Sequence, residues 1–264
     1  MLKYLSFYLL LFLEIFSINL KAQSYINNYK KFSIGLNFGI SIPEGQFVEA
    51  NSTMLPLANH YQDTNHFSGY AKTGFYMNIN FNYMFTSKIG GSIYIGTSAN
   101  PYNFALFKSQ IDTLYATQFR NSGGIPLIST SGNYFIGQYL IGPFMCIPIS
   151  GKLKAEIKLL FGYIYATYPK TDFGTNFELP MPASFKFSFC YSFGGGIKYM
   201  VSKTFGFHLN VNYTEGNIIY PSYSVQPYGT FINELFDIPK NMSIMMIQPT
   251  LGVSVEFGNR KTKE

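Results

Sequence analysis

From Phe185 to Thr214 the chain alternates residue by residue. Phe185, Phe187, Phe189, Tyr191, Phe193, Ile197 and Tyr199 share one parity; Lys186, Ser188, Cys190, Ser192, Gly194, Gly196 and Lys198 share the other. After a break at Val201-Ser202-Lys203, Phe205, Phe207, Leu209, Val211 and Tyr213 resume the apolar face. Gly206, His208, Asn210, Asn212 and Thr214 oppose them. A strand sends successive side chains to opposite faces, so the segment predicts a hairpin with one apolar and one small or polar face.

The same pattern recurs along the chain. It predicts strands over Phe32 to Ile42, Lys72 to Phe85, Ile89 to Ser98, Tyr134 to Ile147, Lys152 to Tyr168 and Ser243 to Phe257. With the hairpin these make eight strands. In the fourth both parities are apolar and Pro143 interrupts the run. Proline cannot donate to a ladder, so a bulge is expected there, with a change of facing across it. The breaks at Thr86-Ser87-Lys88, Ser150-Gly151 and Val201-Ser202-Lys203 are short. The stretches Pro43–Ser68, Ala99–Gly132, Pro169–Ala183 and Glu215–Asn241 are long and carry loop signals.

An even strand count, with short turns at one end and long loops at the other, predicts an antiparallel up-and-down membrane β-barrel. Strands of ~12–16 residues exceed the usual five or six of globular sheets and suit a tilted crossing of the bilayer. On this reading the aromatic parity meets lipid and the polar parity fills the interior. The long loops, Gly45–Ser68, Pro101–Gly132, Thr171–Ala183 and Asn217–Asn241, face outside; both termini and the short turns face the periplasm. Phe32, Tyr83, Phe85, Tyr199, Phe205 and Phe257 then form an inner aromatic girdle.

Composition agrees. Aromatic residues are 19% and charged residues 12% of the chain, whereas soluble surfaces are about a quarter to a third charged. No run after the N-terminus approaches the ~20 apolar residues of a membrane helix. Lys3, the apolar run Tyr4 to Phe16 and Ala22 before Gln23 have the parts of a cleaved export signal. The expected division is therefore a signal over 1–22 and a single barrel domain over 23–264. The net charge of +6 is spread out except at Arg260, Lys261 and Lys263. Nucleic-acid binding wants a basic patch or stripe, so no nucleic-acid partner is expected. Cys146 and Cys190 fall on strands that are not neighbours, too far apart for a disulfide.

The last strand, Thr250-x-Gly252-x-x-Val255-x-Phe257, is similar to the signal by which the barrel-assembly machinery takes up its clients. With the strand pattern from Phe32 to Phe257, it makes the chain resemble the eight-stranded PorT-like and OmpA-type outer-membrane barrels of Gram-negative bacteria. That resemblance implies an outer-membrane location, contact with its lipid and the assembly machinery, and a structural, partner-binding or secretion-accessory role played through the outer loops.

Candidate chemistry is sparse. The inward parity holds Lys72, Asn78, Asn80, Asn82, Lys154, Glu156, Lys158, Lys186, Lys198, His208 and Glu256. An eight-stranded barrel is just wide enough to be filled by side chains. A charge-paired plug is thus expected in preference to a conduit. His208 with Ser188 or Ser192 offers the residue types of a hydrolase, but no motif fixes a triad geometry. His60, Asp63 and His66 have a spacing that matches no standard zinc pattern. Gly194-Gly195-Gly196 lies within a strand, where it serves bending or close packing. No catalytic, cofactor or metal site is expected. The competing readings are an outer-membrane enzyme acting on lipid or peptide, and a soluble ligand-binding barrel with the apolar face inward.

Overall fold

The structure, a computed structural model, describes residues 30–50, 68–110, 127–167, 169–174, 185–220 and 240–259. Its strands are β1 (Lys30–Glu44), β2 (Gly74–Met84), β3 (Ile89–Pro101), β4 (Leu127–Ser131), β5 (Asn133–Pro148), β6 (Leu153–Thr167), β7 (Lys170–Gly174), β8 (Phe185–Met200), β9 (Phe205–Tyr220) and β10 (Lys240–Asn259). Eight of them close into a barrel in the order β1-β10-β9-β8-β6-β5-β3-β2, while β4 and β7 pair separately. All the pairings are antiparallel.

The register fixes the tilt. Starting from Ile34, pairing runs through Phe81, Ile93, Ile141, Phe161, Tyr191, Glu215 and Met245 and returns to β1 at Glu44 rather than at Ile34. Closure with such a stagger requires strands inclined to the barrel axis.

The facing follows the alternation. On β9, Phe207 is 52% exposed and its neighbour His208 is 2% exposed. On β6, Leu159 is 44% and Lys158 is 3% exposed. An apolar face turned outward and a polar face turned inward is the membrane-barrel arrangement, and it excludes the soluble barrel with an apolar interior face.

All three short turns use one local device. The Thr86 hydroxyl accepts from the Ile89 amide at 2.9 Å, that of Ser150 from Leu153 at 3.2 Å, and that of Ser202 from Phe205 at 3.0 Å. A Ser or Thr hydroxyl thus caps each reversal through its own side chain.

Pro143 does not produce a bulge. The β3–β5 register passes through Gly91↔Pro143 unbroken, and Ile136, Leu140 and Phe144 stay on the inward parity across it. The proline instead leaves a gap in the β5–β6 ladder, between Ile141↔Phe161 and Phe144↔Lys158. Pro249 does the same on β10, where pairing with β1 skips from Gly39↔Thr250 to Ile42↔Ile247. A missing N–H costs one ladder bond on one side and leaves the other side paired.

The bulge lies at Gly132. Ser131 pairs with Lys170 and Phe135 with Thr167, so three residues on one strand oppose two on the other. Gly132 has φ +118°, a conformation suited to glycine. This extra residue separates the β5–β6 wall from the β4–β7 ribbon beyond it.

Other boundaries differ from expectation. Lys72, expected inward, precedes β2 and is exposed. The stretch from Ala99 to Gly132 holds a helical segment over 104–110 and β4, and β7 lies in the third loop. β9 and β10 run further outward than expected, to Tyr220 and from Lys240. The β8–β9 pairing ends at Cys190↔Gly216, short of the outer ends of both strands.

Candidate functional site

The lumen is layered. At the short-turn end, Lys154, Glu156 and Lys158 of β6 meet Lys198 of β8, His208 of β9 and Glu256 of β10. The Lys198 Nζ lies 2.8 Å from Glu156 and 3.2 Å from Glu256, and Lys154 lies 2.8 Å from Glu256. Lys158 and His208 each stand 3.8 Å from Glu156. Neither Glu156 oxygen has an aligned hydrogen bond, so its contacts are ionic rather than directional. Every one of these side chains came from the inward parity, which brings them to one level of the barrel.

Above them sits an amide layer. Asn37 donates to Asn78 at 2.8 Å and to Asn80 at 3.0 Å, and accepts from Asn210 at 3.3 Å. Asn212 donates to the Tyr94 hydroxyl at 3.3 Å; Tyr94 bonds Tyr76, which reaches Gln138 at 3.3 Å. The polar groups lock opposite walls together, since Asn37 and Asn78 come from β1 and β2 while Asn210 and Asn212 come from β9.

The outer part of the lumen is apolar. Phe47, Tyr70, Tyr102, Phe107, Tyr134, Ile136, Ile164, Ile218, Met242, Ile244 and Met246 form one buried cluster. Phe47, in the 3₁₀ turn Gly45–Phe47, packs edge-on against Tyr134 with centroids 5.0 Å apart. Gln46 accepts from the Ser243 amide at 3.0 Å, and Gly69 donates to the Gln46 carbonyl at 2.8 Å. The Tyr134 hydroxyl donates to the Gly69 carbonyl at 2.7 Å. Tyr70 reaches Gln110 of the helical segment at 2.5 Å, and Gln110 holds the Ala50 carbonyl at 3.1 Å. Burial, helped by the Glu49 charge, pushes the Tyr70 hydroxyl up to about 12, so it stays protonated and can donate. The described parts of the first two long loops are thereby tied to each other and to β5 and β10.

The structure separates the hydrolase candidates. His208 pairs with Lys198, while Ser192 pairs with Thr214 further along the same two strands. Ser192 donates to the Tyr213 carbonyl at 2.9 Å and accepts from Thr214 at 3.0 Å; Ser188 bonds the Asn217 carbonyl. At roughly 3.3 Å per residue, six positions put Ser192 about 20 Å from the His208 level. Lys186 points inward only at the outer end, opposite Ala166. His60, Asp63 and His66 lie outside the described residues. Among the described residues no cluster of three or more His, Cys, Asp or Glu side chains could hold a metal. Cys146 and Cys190 are both free thiols.

One feature escaped sequence reasoning. Glu215 lies on the lipid parity and accepts hydrogen bonds from Tyr213 at 2.8 Å and from Tyr191 across the β8–β9 pair. It borders an open groove of about 650 Å³ with Gln46, Glu49, Asn217 and Ser243. A carboxylate directly following the apolar run Phe205 to Tyr213 on one parity was the available signal.

A closed, tilted, eight-stranded antiparallel barrel with an apolar outer face is the fold of the outer-membrane β-barrel proteins. No protein-family model matches the chain, and no curated protein matches it. Among solved structures it is similar to Neisserial surface protein A (NspA), at 11% identity and a TM-score of 0.47, over 88% of this chain and 100% of that one. It is similar to Ail, the attachment invasion locus protein of Yersinia pestis, at 11% identity and 0.42, over 86% and 99%. OprG from Pseudomonas aeruginosa is similar at 13% identity and 0.35, over 88% and 97%. These are distant likenesses of barrel shape and carry no residue role across.

Proposed function

We propose that the protein is a non-conducting outer-membrane barrel that serves as a rigid support, presenting its outer loops to a protein partner or ligand. The observation that carries this reading is the filled lumen. Among the described residues the charge cluster, the amide layer and the apolar cap follow one another along the lumen, and the described parts of the first two long loops are hydrogen-bonded to one another and to β5. Work done through the interior would need that packing removed; work done through the loops needs only a stable wall. In this reading residues 1–22 are a cleaved export signal. The last-strand motif on β10 marks the chain for the barrel-assembly machinery, in keeping with a PorT-like or OmpA-type kinship. His208 belongs to the plug and catalyses nothing, because its neighbours are lysines and a carboxylate rather than a nucleophile.

Two measurements test the reading. Purified protein in planar bilayers should give no single-channel steps, and steady open-channel currents would overturn it. In a background lacking Cys146 and Cys190, a cysteine at the exposed Leu106 should react with an impermeant thiol reagent on whole cells. One at Ser202, in a short turn, should react only after the outer membrane is broken. The reverse result would invert the topology and remove the loops from the outside.

A further inference from the structure

The charge cluster is unbalanced, and its surplus has a sign. Three lysines, Lys154, Lys158 and Lys198, face two carboxylates, Glu156 and Glu256. Lys198 divides itself between both acids, and Glu156 also serves Lys158 and His208. Lys158 is almost fully buried, with Glu156 at 3.8 Å and the Phe144 ring at 5.8 Å as its stabilising neighbours. Among the described residues no other acid is paired with these lysines. Cys146 on β5 pairs directly with Glu156, β1, β2 and β3 place the neutral Ser33, Asn82 and Ser92 here, and the half-buried cation Lys31 follows on the same parity of β1. Asn82 is already engaged, donating to Ser33 at 3.0 Å. All six members of the cluster lie on β6, β8, β9 and β10.

We infer that this cluster is an acid-released latch on the short-turn end of the lumen. While both carboxylates are charged, they hold together Lys154 and Lys158 of β6 and Lys198 of the neighbouring β8. Neutralising them leaves Lys158 and Lys198 unpaired in the buried part of the cluster, where like charges repel strongly, while the partly exposed Lys154 already reaches solvent. A proton on His208 adds to the surplus. Admitting water from the short-turn end relieves that repulsion. The loosening stops at the Asn37–Asn78–Asn80–Asn210 layer, which carries no charge, so the barrel gains a blind, wetted pocket and still conducts nothing. The latch is one-sided: loss of an acid opens it, whereas loss of Lys158 does not.

Cys146 reports on the latch from within, because it stands opposite Glu156 on the inward parity. With Cys190→Ser as background, the labelling rate at Cys146 in lipid nanodiscs is taken as that of a bulky maleimide divided by that of a small one at the same pH, so that changes in thiol ionisation caused by the substitutions cancel. Glu156→Gln combined with Glu256→Gln should raise the rate severalfold. Adding Lys158→Met should bring it back toward the starting value. A folded double variant with an unchanged rate would overturn the latch, as would a raised rate that Lys158→Met leaves in place. Should the double variant not fold, Glu256→Gln alone provides the reading: it frees Lys154 and half of the Lys198 pairing, and an unaltered rate refutes the proposal. The bilayer currents stay at zero in every arm, so failure here is distinguishable from failure of the closed-support reading.

Discussion

Phe32 and Phe257 stack across the seam that closes the barrel, with ring centroids 5.6 Å apart and planes 13° from parallel. One is the first lipid-facing aromatic of β1 and the other the last of β10, and they are register partners. Tyr83 continues the band at 4.9 Å from Phe32, and Phe85 follows at 5.4 Å from Tyr83. Tyr199 meets Phe207 in register, beside Phe205. Of the residues expected in the girdle, Phe32, Tyr83, Phe85 and Phe257 thus touch one another in series, while Tyr199 and Phe205 each adjoin Phe207.

The seam pair should be measurable. Phe257→Ala is expected to lose the stacking contribution of about 0.5–1.5 kcal/mol in a urea titration of the vesicle-inserted protein. A double-mutant cycle with Phe32→Ala should show coupling of similar size. Strict additivity would mean that the rings merely share a depth.

The two faces of β6 should answer oppositely to charge. Leu159→Arg is expected to cost roughly 2–4 kcal/mol of folding stability in lipid vesicles, since lipid does not solvate a guanidinium at mid-depth. Lys158→Leu should still fold, because Glu156 keeps Lys198 at 2.8 Å. Gly162 cannot share the tolerance of the inward positions: a Cβ there would lie 2.0 Å from the Tyr139 carbonyl oxygen. Gly162→Ser should therefore be damaging where Ala166→Ser is mild.

Gly132→Ala tests the bulge. A Cβ there meets nothing within 4 Å, so the cost comes from the backbone at φ +118° alone. A loss of about 1–3 kcal/mol is expected, confined to the ribbon. Amide exchange in β4 and β7 should accelerate while β5 and β6 keep their protection. Equal acceleration in all four would deny the bulge its role as a boundary.

The amide layer should be costly to break. Asn37→Leu leaves acceptors on Asn78 and Asn80 unpaired in the lumen, at about 1–3 kcal/mol for each. Unfolding in lipid vesicles measures the loss. A neutral result would show water already at this level, against the filled lumen.

The strand pattern was legible because the facing signal is carried by position parity, and runs such as Phe187, Phe189 and Tyr191 leave little ambiguity. The inward charges were legible for the same reason. Two things were not. Proline at 143 reads as a ladder defect, yet a lipid-facing proline need break only one of its two ladders, so register survived. The bulge went to Gly132 because the strand pair continues past the barrel with one residue to spare, a relation between two distant segments that no local pattern displays. The apolar cap was hidden by the same logic that revealed the wall. Where Tyr134, Ile136, Ile218, Met242 and Ile244 face inward, both parities become apolar, and the chain reads as a weak strand instead of a lumen closed without water.

The ladder gaps at Pro143 and Pro249 make the barrel severable. The interrupted seams, β5–β6 and β1–β10, stand on opposite sides of the ring. Between them lie two contiguous stretches of chain: β1, β2, β3 and β5 in one, β6, β8, β9 and β10 in the other. Each is a meander of neighbours, and the whole charge cluster belongs to the second. A chain divided at the turn over 149–152 would part along one of the two ladders that a proline interrupts, leaving two fragments whose edges match only each other. Co-expressed, they should reunite into one barrel that resists detergent unfolding, and fragments that never associate would show that the covalent link supplies what the interrupted ladders lack.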